Sequence, residues 1–184
     1  MLGKFIMGGV ITAAIIATTG QIAFPPKPVL LYNPTISAKV GWYKLLTNEP
    51  PKMGAQVAAY APEWARILAD ERGYLPYDYP LIKTVWAVHG DKVCYNNSSV
   101  SVPKYPDIPL LGQDVLGRDM PVRSGCIVLE AGQYMLLSPD VQTGFDSRYF
   151  GPVGIENILG HVEYLGNSKN LKISKKPGFR GIEG

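Results

Sequence analysis

The sequence predicts a mainly β protein, with an antiparallel β core, one short helix and an inserted lobe, preceded by an N-terminal transmembrane helix. Three observations predict it. Sixteen prolines and twenty glycines among 184 residues favour many turns and short strands over a helical bundle. Beyond residue 28 only one stretch has helical spacing, and the remaining apolar segments are short. Residues Phe5 to Ala23 run apolar without a charge, behind Lys4 and the free amino terminus. The chain divides into an anchor over 1–24, one extracytoplasmic domain over 25–165 and a basic tail over 166–184. This length buries a single sizeable core.

The elements follow in order. At about 1.5 Å per residue the run 5–23 crosses a hydrocarbon core of about 30 Å. The positive residues before it predict a cytoplasmic N-terminus, which puts everything after it on the extracytoplasmic face. A cleaved signal peptide is the alternative, but Gln21 stands where a small residue is wanted before Ala23. Pro25, Pro26 and Pro28 stop the helix and stiffen a short linker. Asn33 to Tyr43 reads as a turn-rich segment and Ala55 to Tyr60 as a strand. Pro62 to Arg72 reads as a helix, with Pro62 first, Trp64, Ile67 and Leu68 on one face and Gly73 as cap. A strand over Leu81 to Val88 ends at the turn His89-Gly90-Asp91. Tyr95 to Val122, rich in proline and glycine, reads as the inserted lobe or long loops. Strands over Ile127 to Leu129 and Gln133 to Leu137 join as a hairpin at Ala131-Gly132, and a final strand spans Ile158 to Leu165. In the tail, Lys169, Lys172, Lys175, Lys176 and Arg180 face only Glu183; this is a solvated tail or one drawn to anionic lipid.

The net charge of +3 is modest, and no basic stripe with interleaved aromatics argues for nucleic acid. Cys94 and Cys126 would face an oxidising compartment, which favours a disulfide over two buried thiols. No Cys or His cluster has metal spacing, so neither a metal nor a cofactor is expected. The chemistry points instead to Lys83. Alternation places it with Leu81, Val85 and Ala87 on one face of its strand. Burial there disfavours the ammonium, and lowering its pKa by roughly three units, at a cost of about 4 kcal/mol, yields a base. The plain alternative is a lysine that bends its amine out to water. Ser37 is the candidate nucleophile, with an ordinary turn serine as the alternative.

Four blocks then carry a resemblance: Asn33-x-Thr35-x-Ser37-x-x-x-Gly41-x-Tyr43, Glu71-Arg72-Gly73-Tyr74-Leu75, Ile82-Lys83-x-Val85-x-Ala87-x-x-Gly90-Asp91-x-Val93, and Phe145-Asp146-Ser147-Arg148-Tyr149-Phe150-Gly151-Pro152. In this order, over about 30–165 and behind an apolar span, the chain resembles the TraF-type conjugative-transfer signal peptidases, a branch of the type I signal peptidases. The resemblance implies a signal-peptidase-like fold and a Ser-Lys dyad of Ser37 and Lys83. It implies an oxyanion hole built from the backbone N–H of Ser37 and the hydroxyl of Thr35. Asp146 and Arg148 would then buttress the site by pairing with each other or with backbone. Three positions depart from the pattern. Lys39 stands where a proline is common, His89 where a proline often precedes Gly-Asp, and Gly144 where a serine orients the lysine. Thr143, one position away, is the expected substitute for that serine.

The function so implied is a membrane-anchored serine endopeptidase on the periplasmic face of a bacterial inner membrane. It would cleave after small residues through an acyl-enzyme. The implied substrate is a conjugative pilin precursor, whose new end some members of the branch join to its own amino terminus. The implied partners are that membrane-inserted or signal-peptide-bearing precursor, the lipid bilayer and other conjugative transfer proteins. A general signal peptidase acting on many exported proteins, and a non-enzymatic component of a transfer channel, are the competing readings.

Overall fold

The structure, a computed structural model, describes residues 30–46, 49–138 and 142–167. The expected anchor over 1–24, the proline linker and the basic residues of the tail lie outside the described residues. In chain order the elements are β1 (Leu30–Asn33), β2 (Gly41–Leu46), β3 (Gln56–Ala59), α1 (Glu63–Glu71), β4 (Leu81–Ala87), β5 (Lys92–Tyr95) and β6 (Ser99–Ser101). They continue with β7 (Ile108–Pro109), β8 (Gly125–Val128), β9 (Gln133–Leu137), α2 (Ser147–Phe150), β10 (Val153–Gly154) and β11 (Ile158–Gly166). Seven strands form one antiparallel sheet in the order β1-β2-β11-β3-β4-β9-β10. Four more, β7-β6-β5-β8, form a smaller sheet that is the inserted lobe.

Two apolar clusters hold these layers together. Met135 and Leu137 of β9 face the lobe and pack with Val93, Val100 and Leu129, while Leu136 faces the other way toward Val57, Ala65 and Phe150. That split is the period-two alternation of a strand buried on both faces. In β4 the alternation fails after Val85. A register shift between Val85 and Ala87 sends Ala87 to the lobe cluster, so it does not share the face of Lys83 as alternation predicts.

Three further expectations are corrected. Helix α1 buries Ala65 and Ala69, and leaves Trp64 and Ile67 each 44% exposed. Alanine packs closest to the sheet, so the larger apolar residues are turned outward. Pro62 precedes the helix as its cap residue, and Gly73 closes it at a φ of 69°. The segments around Ile127 and Gln133 are not a hairpin. Strand β8 pairs with β5 of the lobe, β9 pairs with β4 and β10, and the turn at 130–132 passes the chain from one sheet to the other. Over 95–122 the inserted lobe, not long loops, is what forms: the segment carries its own paired strands, and a disulfide between the register partners Cys94 and Cys126 closes the lobe at its base.

Strand order makes the large sheet curl. Between β1 and β4 lie four strand spacings, roughly 19 Å if flat, yet the turn after β1 and the middle of β4 line one cleft. The hydroxyl of Tyr79, just before β4, donates to the carbonyl of Tyr32 in β1 and ties the two ends of the curl. Gly41 allows close closure at β2: a Cβ there would sit 2.5 Å from the carbonyl oxygen of Gly166.

Candidate active site

Ser37 sits in the turn between β1 and β2, half-buried, with its Oγ 3.0 Å from Thr35 Oγ1. Two hydroxyls at positions i and i+2 meet only because the turn folds back on itself; on an extended strand they would be about 7 Å apart. Thr35, the residue expected to be a second oxyanion donor, thus stands beside the serine.

Lys83 is 2% exposed in β4 and does not reach out to water. Its Nζ donates to Ser138 Oγ at 3.1 Å. Burial pushes the amine from 10.5 down to about 8; Asp146 opposes that shift and the Arg148 guanidinium adds to it. A lysine with this ionisation holds a useful fraction of free amine near neutrality.

Ser138 is the residue that motif reading missed. The hydroxyl expected from Thr143 lines the cleft wall, and the lysine bonds to Ser138 instead. Thr84 pairs with Leu137, so Ser138 falls one register step on, opposite Lys83. A polar residue ending the apolar strand 133–137 is the signal, but only the pairing of β9 with β4 gives it meaning.

Asp146 and Arg148 hold Ser138 in place. Asp146 Oδ2 accepts from the Ser138 backbone N–H at 2.9 Å, while an Arg148 Nη lies 3.4 Å from the Ser138 carbonyl. The two side chains pair through Arg148 Nε and Asp146 Oδ1 at 2.8 Å, each at most 1% exposed. Arg148 also donates to the Gly144 carbonyl at 3.1 Å. Asp146 caps α2 as well, accepting from the Arg148 N–H. This is a buried pair with its remaining polar atoms satisfied, not a surface ion pair; removing one partner would strand the other charge. Tyr149 and Phe150 are core residues, and the Tyr149 ring also walls the cleft.

The cleft that gathers Thr35, Ser37, Lys83 and Thr143 has a volume of about 240 Å³. Its apolar walls include Leu75, Leu81, Met120 and Phe145. A loop from the lobe closes one side: Asp114 accepts from Arg118 Nε at 2.7 Å and from the Tyr74 hydroxyl, which fixes Val115 at the rim. Among the described residues no hydrogen bond joins Ser37 to Lys83, although both face this cleft.

Comparison with known proteins shows the family. The family profile described as signal peptidase, peptidase S26, matches residues 2–165. The chain is 35% identical over 138 residues to a plasmid transfer protein TraF of Escherichia coli, covering 69% of this chain and 77% of that one. It is 31% identical over 137 residues to a probable conjugal transfer protein TraF of Sinorhizobium fredii, covering 70% and 72% respectively. Among solved structures, a signal peptidase I from Enterococcus faecalis superposes with a TM-score of 0.36 at 16% identity, over 61% of this chain and 97% of that one. The chain belongs to the signal peptidase family, peptidase S26, and within it to the TraF type.

Proposed function

We propose that this protein is a membrane-anchored serine endopeptidase, with Ser37 as nucleophile and Lys83 as general base. The observation that carries the reading is the buried Lys83 amine, held near an ionisation of about 8 in the same cleft as Ser37. In the reaction, Ser37 Oγ turns from Thr35 toward the bound carbonyl and passes its proton to the Lys83 amine. The developing oxyanion takes hydrogen bonds from the Ser37 N–H and the Thr35 hydroxyl. Lys83 then gives the proton to the departing amine, which leaves an acyl-enzyme. Neutral again, it deprotonates the water or substrate amine that releases the product.

The resemblance to transfer proteins supports a conjugative pilin precursor as substrate, cut after small residues, with an amine in place of water giving a cyclic product. The apolar run 5–23 supports an inner-membrane anchor that presents the cleft on the periplasmic side. The test is processing of the pilin precursor from the same transfer system by membranes containing variant enzyme. Ser37→Ala and Lys83→Met should abolish maturation and leave the protein folded. Lys83→Arg should fail too, because a guanidinium stays protonated. Normal maturation with Ser37→Ala would remove the mechanism. Equal cleavage of unrelated exported precursors would point to a general signal peptidase.

A further inference from the structure

Asn33, the last residue of β1, is 5% exposed and spends its whole amide on the loop that carries Ser37. Its Nδ2 donates to the carbonyls of Thr35 at 2.9 Å and of Ala38 and Lys39 at 3.2 Å each. Its Oδ1 accepts from the Thr35 N–H at 3.1 Å and from Thr35 Oγ1 at 2.8 Å. The three carbonyls can only accept and the Thr35 N–H can only donate, so the amide has one allowed orientation. The direction of the neighbouring hydroxyls then follows. Thr35 has a single hydroxyl proton and gives it to Asn33, so the contact of 3.0 Å between Thr35 Oγ1 and Ser37 Oγ is filled by the serine's proton.

We propose that Asn33 is a positioning residue for the nucleophile and oxyanion hole, acting through Thr35; this rests on the Ser37–Lys83 reading above. In the resting enzyme Asn33 holds the Thr35 hydroxyl proton, and Thr35 in turn holds the proton of Ser37 away from Lys83. A peptide in the cleft draws Ser37 toward its carbonyl, and the Thr35 proton swings from Asn33 to the forming oxyanion. That swing leaves no buried acceptor empty, because Asn33 Oδ1 keeps the Thr35 backbone N–H. The same amide holds the carbonyls of residues 35, 38 and 39, so Thr35 Oγ1 stays in place while its hydroxyl turns.

The experiment uses the full-length enzyme in detergent with a peptide that spans a cleavage site after small residues. Kinetic constants are measured for Asn33→Ala, Thr35→Val, Thr35→Ser and the double variant Asn33→Ala/Thr35→Val. Loss of an oxyanion donor is worth about 100-fold or more in kcat, and that loss is expected for Asn33→Ala and for Thr35→Val, with KM within about threefold. Thr35→Ser keeps the hydroxyl and should recover most of the rate. The ionisation in the pH profile should not move in Asn33→Ala, since Lys83 is held from β9. Because Asn33 acts through Thr35, the double variant should fall no more than about threefold below Thr35→Val alone. A kcat for Asn33→Ala within threefold of the parent, a loss confined to KM, or fully multiplicative losses would each overturn the proposal. If Asn33→Ala does not fold, Thr35→Val carries the test, since it leaves the amide–carbonyl bonds intact, and a kcat near that of the parent overturns it. Ser37→Ala and Lys83→Met run alongside. Activity in those would sink the dyad itself, whereas inactive dyad variants beside a fully active Asn33→Ala would remove only the role of Asn33.

Discussion

On the proposed mechanism, Lys83 gives opposite demands to stability and to catalysis. Its folded-state ionisation of about 8 lies below the 10.5 of a free lysine, so between those values the unfolded chain binds more protons and stability rises with pH. Below about pH 8 the amine is protonated in both states, and the native state carries a penalty of about 3 kcal/mol. Replacing Lys83 by Met should therefore abolish activity yet raise stability at neutral pH, by about 1–2 kcal/mol after losing one hydrogen bond. The gain should vanish as pH climbs toward 10.5; denaturant unfolding of both proteins across that range checks the sign. Over the same range kcat/KM of the parent should rise along one ionisation near 8. Ser138→Ala should lower kcat by about 10- to 100-fold, since small misplacements of a catalytic group cost this much. Thr143→Ala should change it little, and the reverse ranking would return the orienting role to Thr143. At this scale, what local sequence makes legible is burial. Leu81 and Val85 flank Lys83 at alternate positions, and that alone predicts an apolar setting. The partner of the amine is not legible, because Ser138 lies 55 residues away and meets Lys83 only through strand register.

Elements were legible where their signal is local. The helix, the strand bearing Lys83 and the final strand show their own period or caps, and the structure places each within a residue or two. Pairing was not legible. Strands β8 and β9 read as a hairpin because a glycine turn separates them, yet each finds its partner elsewhere in the chain. The buried face of the helix is not legible for a related reason: the close approach of α1 to the sheet selects Ala65 and Ala69, which are too small to dominate an apolar pattern. Two outcomes follow. Ala65→Leu should overpack the interface and cost about 1–3 kcal/mol, while Trp64→Ser should stay within about 0.5 kcal/mol, both read by thermal or denaturant unfolding. Removing the bridge with Cys94→Ser and Cys126→Ser should cost about 3–4 kcal/mol by the loop-entropy model. The separation of 32 residues spans almost the whole lobe, so proteolysis of the double variant should begin within 95–125. First cleavage in the large sheet would show that the bridge does not hold the lobe.

For the whole molecule, the site exists because the sheet is curled. Ser37 follows an edge strand and Lys83 lies on a central one, and neither the turn nor β4 holds both halves of the proposed dyad. With the proposed anchor, that assembly would also set where the site stands relative to a membrane. Counting from the proline at residue 25, Ser37 is twelve residues on, at most about 40 Å if the chain were extended. The fold shortens this, because β1 and the turn after it double back into β2. A span over 5–23 would therefore hold the cleft near the lipid surface, where a site beside a hydrophobic segment emerges. Tethering raises the effective concentration of such a site without adding a contact, by about 10²–10⁴-fold in overall avidity. Deleting residues 1–24 should accordingly leave kcat/KM toward a soluble peptide unchanged. Cleavage of the same site in a vesicle-embedded precursor should fall by about 100-fold or more at equal enzyme concentration. Both substrates falling together would mean that the N-terminal segment supports the fold or the cleft. If neither fell, tethering would have no part in how this peptidase finds its substrate.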